Sequence, residues 1–140
     1  MADKKRVLVT FEDMGRITVG TVRQSSVLSA LNVAAFGKQV LKRVKGTRGI
    51  HLLLNFEHVD YLSSAVLTEL LRINKIVQEA EGQMRICAVA PNIREIFEIT
   101  NLDKLFVLSE DDAQTSVKRF ERALAVAARE ATWREPAAEA

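Results

Sequence analysis

At 140 residues, with 48% apolar and 27% charged, the chain has the size and balance of one ordinary globular domain rather than of a disordered polymer or a membrane bundle. A net charge of +2 selects no particular partner, and a single cysteine, Cys87, excludes an intrachain disulfide and any metal site built from cysteine pairs. The opening MADKKRVLVTFED carries no apolar h-region with a cleavage site, and no apolar run approaches the roughly 18 residues of a spanning helix, so a cytoplasmic protein without membrane contact is expected.

Arg6 to Glu12 and Arg16 to Thr21 are β-branched, partly alternating runs around Asp13-Met14-Gly15, the pattern of an antiparallel hairpin. Val33, Phe36, Val40, Leu41 and Val44 then recur at helical spacing, with Asn32 placed to cap the helix and Gly46 just past its end. Ile50 to Phe56 is nearly continuously apolar, as a central strand covered on both faces should be. After a short polar turn, Val66, Leu67, Leu70, Leu71, Ile73, Ile76 and Val77 form a broad apolar stripe that stops at Glu81-Gly82. Met84 to Val89 predicts another strand, with Cys87 a buried, inert thiol within it, and Pro91-Asn92 opens a third helix bearing Ile93, Ile96 and Phe97. Leu105 to Leu108 reads as a last strand. Asp111 and Asp112 then start a fourth helix that buries Val117, Phe120 and Leu124 and fades towards Trp133 and Pro136. The order ββαβαβαβα predicts an α/β fold, with a mixed, largely parallel sheet, an N-terminal hairpin and four helices. One domain is expected over residues 1–128, followed by a flexible tail over 129–140.

The chemistry-bearing positions are few. Ser63 and Ser64 stand where the second helix begins, a natural capping site and a good seat for an anion. No capping-box glutamate follows, because Val66 and Leu67 occupy the third position after each serine. His51 and His58, seven residues apart with no further ligands nearby, do not make a metal site. Lys38, Lys42, Lys45 and Arg48 lack interleaved aromatic residues and read as a solvated helix end rather than a nucleic-acid surface. No phosphate-binding glycine loop is present, Glu110, Asp111 and Asp112 have the form of a helix start, and Asn55 reads as a turn-facing polar residue. Neither a cofactor nor an enzymatic activity is expected, since Ser64 lacks the Gly-x-Ser-x-Gly elbow that exposes a nucleophile.

The element order, the passage LLLNFEHVDYLSSAVL and the later FEITNLDKLF, with its Thr100-x-Leu102-(x3)-Phe106 spacing, resemble the STAS domain of bacterial anti-sigma factor antagonists from about Val7 to Phe120. The resemblance implies a partner switch. The unphosphorylated protein binds an anti-sigma factor, often a serine kinase, and so frees a sigma factor; phosphorylation of a serine at the start of the second helix breaks the complex, and a phosphatase restores it. Carried onto this chain, the acceptors are Ser64 first and Ser63 second, and the partner surface comprises Glu57, His58, Asp60, Ser63, Ser64 and Ala65. Against the family's Asp-Ser-Ser-Gly-Leu subgroup, Ser63 takes the acidic position, Ser64 the first serine, Ala65 the second and Val66 the glycine. Those departures suit an alternative, a STAS scaffold held constantly in a larger assembly with no phosphorylation cycle. A third reading is a small hydrolase using Ser64. A monomer or weak dimer is expected.

Overall fold

The computed structural model describes residues 7–23 and 32–139, with side chains through residue 132. Strands β1 (Val9–Met14) and β2 (Ile17–Val22) pair antiparallel, and β3 (His51–Asn55), β4 (Gln83–Cys87) and β5 (Val107–Leu108) follow in parallel, in the spatial order β1-β2-β3-β4-β5. The hairpin register pairs Met14 with Ile17, so its loop is Gly15-Arg16, with Gly15 at φ 64° as such tight loops require. β1 thus runs through Asp13 and Met14, which the sequence pattern assigned to the turn; Arg6 lies outside the described residues.

Because the sheet is built in chain order, right-handed crossovers send each connecting helix to the same face. There α1 (Val33–Lys45), α2 (Ser64–Glu79) and α3 (Pro91–Ile99) pack Phe36, Val40, Leu70, Ile73, Ile93 and Phe97 onto Leu52, Leu54 and Ile86. The last helix, α4 (Ala113–Glu139), covers the opposite face, where Val117 and Phe120 meet Ile17, Val19, Leu53 and Cys87. Two buried faces explain why β3 reads as a continuous apolar run. Cys87 is fully buried, and burial pushes its thiol up to about 11, so it stays neutral and unreactive at physiological pH.

The helix ends follow local chemistry, with differences from the sequence pattern. Asn32 occupies the α1 N-cap position without a capping side-chain bond, and Gly46 ends that helix at an ordinary φ of −80°. At the end of α2, Glu81 N–H donates to Gln78 O and Gly82 N–H to Val77 O, the paired bonds of a Schellman motif. Glu81 takes the left-handed position at φ 64°, while Gly82 lies where a Cβ would come 2.3 Å from the Ile50 carbonyl oxygen. The glycine is there for clearance.

β4 ends at Cys87, two residues before the predicted limit, because Ala88 turns to φ 54° and its N–H donates to Asp111 O. The last strand shrinks to Val107–Leu108 behind a 3₁₀ turn, Leu102–Lys104, with Leu105 left exposed. Asp112 caps α4 through a bond from Thr115 N–H at 2.8 Å, which holds its carboxyl below the usual range. The expected boundary between residues 128 and 129 falls within this helix, and the side chains of Trp133 and Pro136 lie outside those described. Among the described residues, no helix is long and apolar enough to cross a membrane and no cluster of metal-ligating side chains occurs.

Candidate functional site

The parallel strands end at one edge of the sheet, where α2, α3 and α4 begin, the usual location of binding sites in α/β folds. The β3–α2 loop at this edge is pinned along its length. At its base, Asn55 is buried; its Oδ1 accepts from Glu57 N–H at 3.1 Å and its Nδ2 reaches Thr21 Oγ1 at 3.4 Å. It therefore builds the turn it was read as merely facing. Val59 N–H donates to Phe56 O, and the Val59 side chain is buried in the core. Farther along, Asn92 on α3 donates from Nδ2 to Asp60 O at 3.0 Å.

Pinning these points leaves Glu57, His58, Asp60 and Tyr61 exposed before the helix starts. Ser63 is the N-cap, with extended backbone and its Oγ accepting from Val66 N–H at 3.4 Å. Ser64 is the first helical residue and exposed, as is Ala65, while Val66 is fully buried. The serine pair thus divides its work: one hydroxyl satisfies the helix start, and the other belongs to an exposed residue beside first-turn N–H groups that an α-helix leaves unpaired. Every residue predicted for the partner surface lies in this continuous stretch, and Ser63 is the least exposed of them. Beside the loop runs a polar groove of about 390 Å³ lined by Glu12, Thr21, Asn55, Glu57, Asp112 and Gln114, so that Glu57 belongs to both.

Two contributors escaped the sequence pattern. Tyr61 is a 46% exposed aromatic next to the serines, the residue type that anchors protein interfaces. Its signal was available, an aromatic between Asp60 and Leu62 in a polar turn. Asn92 gave a weaker one, a poor helix former in the first turn of a helix, where its side chain can reach other backbone. Replacing Asn92 by Ala should lower the melting temperature by no more than about 3 °C, since one exposed hydrogen bond is worth only ~1 kcal/mol. Amide exchange across residues 58–62 should accelerate about fivefold, and unchanged exchange would show that the tether does not hold the loop. His51 opens β3, at the opposite end of the strand from this edge, and packs edge-on against Phe120, ring centroids 5.8 Å apart.

A mixed sheet with an antiparallel edge hairpin, three helices on one face and one on the other, and a pinned loop feeding a serine-capped helix define a mixed-sheet α/β domain. The chain belongs to the STAS domain family, whose model matches residues 11–119. It is 27% identical over 99 residues to BtrV of Bordetella bronchiseptica, provisionally named an anti-sigma factor antagonist, covering 70% of this chain and 83% of that one. Among solved structures, an anti-sigma-factor antagonist (STAS) domain protein from Planctomyces limnophilus superposes with a TM-score of 0.72 at 18% identity, covering 81% of this chain and 97% of that one. The anti-sigma factor antagonist SpoIIAA in its unphosphorylated form gives 0.63 at 14% identity, covering 81% and 97%. At such identities the structures share the fold.

Proposed function

We propose that this protein is a cytoplasmic anti-sigma factor antagonist, without enzymatic activity, that binds an anti-sigma factor through the β3–α2 loop and the start of α2 and is released by phosphorylation of Ser64. The observation that carries this reading is the exposed Ser64 at the first position of a helix already capped by Ser63. BtrV's name and the STAS fold supply the class of partner. A phosphate on Ser64 adds roughly −1.5 to −2 charge, which the helix N-terminus tolerates within its own chain. Against a docked partner the same charge must be stripped of its water, so the complex separates while the fold survives. The phosphate would come from a serine-kinase partner, and a phosphatase would remove it. A monomer or weak dimer suits an exchange of partners.

One observation favours a second reading, a constitutive scaffold. The position after Ser64 is Ala65, and the buried Val66 puts a β-branched side chain where a close backbone approach would need glycine. Phosphosite mapping by mass spectrometry on protein purified from its own cells, stressed and unstressed, separates the two. The switch requires phosphate on Ser64 whose occupancy changes with condition. Persistent absence of phosphate would leave the scaffold.

A further inference from the structure

On the α4 face of the sheet lies a cavity of about 160 Å³ between β4, β5 and α4. Leu53, Val107 and Leu108 supply its apolar walls, and Arg85, Arg119 and Ser116 its polar ones. Arg85 comes from the middle of β4, between Leu53 and Val107 in register, and its Cζ sits 4.6 Å above the centre of the Phe120 ring. Arg119 Nη1 is already engaged by Asp111 Oδ2 at 3.1 Å. Arg85 has no such partner: its Nε is sealed from solvent and finds no acceptor among the described residues, and no carboxylate there lies in ion-pair reach. Desolvation lowers its pKa from the ordinary arginine value, which records the same imbalance.

An enclosed guanidinium N–H without an acceptor is a costly exception in folded proteins. The aromatic ring compensates the charge in part but offers the donor no lone pair. Nε itself stays out of a ligand's reach; what the cavity lacks is an anion on the rest of the Arg85 guanidinium, and the walls opposite are largely Leu53, Val107 and Leu108. The cavity opens to solvent on one side, and its volume compares with the roughly 150 Å³ that accommodates a benzene ring. We infer that this cavity is a binding site for a small organic carboxylate with an aromatic or short aliphatic body, its carboxylate on Arg85 and its body between Leu53, Val107 and Leu108. The charged head sets orientation and the walls set size, so a ligand of this bulk should bind with Kd on the order of 0.1–1 mM.

Sodium benzoate is the probe, titrated into the full chain while amide resonances and the melting temperature are followed. Saturable shifts at Val107 and Ser116 and a rise in melting temperature of a few degrees are expected. Benzamide, the neutral analogue, should bind at least about tenfold more weakly, because it cannot pair with the guanidinium. Arg85→Met keeps a long apolar side chain over Phe120 and should abolish the benzoate shifts; Arg48→Met, on an exposed arginine paired with Glu81, should leave them intact. Arg85→Lys retains the charge without the planar fork and should weaken binding. Absence of saturable shifts in the wild-type chain would overturn the site. Benzoate binding that persists in Arg85→Met, or equal stabilisation by benzamide, would overturn the role of the arginine. Equal binding of inorganic phosphate would overturn the role of the apolar walls.

Discussion

Ser64→Asp should weaken binding to an anti-sigma factor roughly 100-fold or more while circular dichroism and the melting temperature stay native. The two halves of this outcome have separate causes. At the first helical position a carboxylate lies beside unpaired N–H groups and the positive end of the helix dipole, which stabilises the folded chain by about 0.3–1 kcal/mol. Across an interface the same charge must be stripped of water, and a charge left buried there without a partner costs several kcal/mol. Ser63→Ala provides the contrast. It removes the capping oxygen from Val66 N–H and should cost about 1 kcal/mol of stability. Calorimetric titration with a purified anti-sigma factor decides the matter, and binding of Ser64→Asp at wild-type strength would sink the switch.

The largest effect on stability is expected at Gly82. A Cβ there would sit 2.3 Å from Ile50 O and 3.0 Å from Ile50 N, and both obstacles are backbone. Neither can swing aside, because Ile50 O also accepts from Gln83 N–H. Gly82→Ala should therefore cost ~3 kcal/mol or more, at the upper end for overpacking, and lower the melting temperature by about 10 °C. The neighbouring Glu81→Gly has the opposite sign. It relieves a left-handed glutamate at the Schellman position and sacrifices only an exposed pair with Arg48, for a net gain below ~1 kcal/mol. Thermal melts of the two variants test the pair, and a tolerated alanine at position 82 would show that the α2–β4 connection gives way more easily than its contacts imply.

The Glu81-Gly82 pair also illustrates how far the sequence was legible. Its composition announced a helix end, yet which residue would turn left-handed depended on β3 passing beneath, a tertiary fact. The elements read correctly, such as β3 and α2, are those whose apolar pattern is long and set by burial on one or two faces. Predicted limits erred where a local turn took up the backbone. Leu105 to Leu108 reads as a strand, but the N–H groups of Leu105 and Phe106 both donate back to Leu102 O in the 3₁₀ turn, so only Val107 and Leu108 reach β4, opposite Arg85 and Ile86. Arg85 itself looks like the polar half of an alternating strand, and only the placement of α4 over that face turns it into a half-buried cation with a sealed Nε. The serine pair was visible as a helix start, whereas the division of labour between its two hydroxyls required the backbone angles of Ser63.

The agreement between strand order and chain order has a kinetic consequence. No strand waits for a distant segment: each pairs with the one made just before it, and every crossover closes a short loop. A chain leaving the ribosome can add the sheet one strand at a time, with the face of Ile17, Val19, Leu53 and Cys87 open until Phe120 arrives. The last helix synthesised is the one that closes that face.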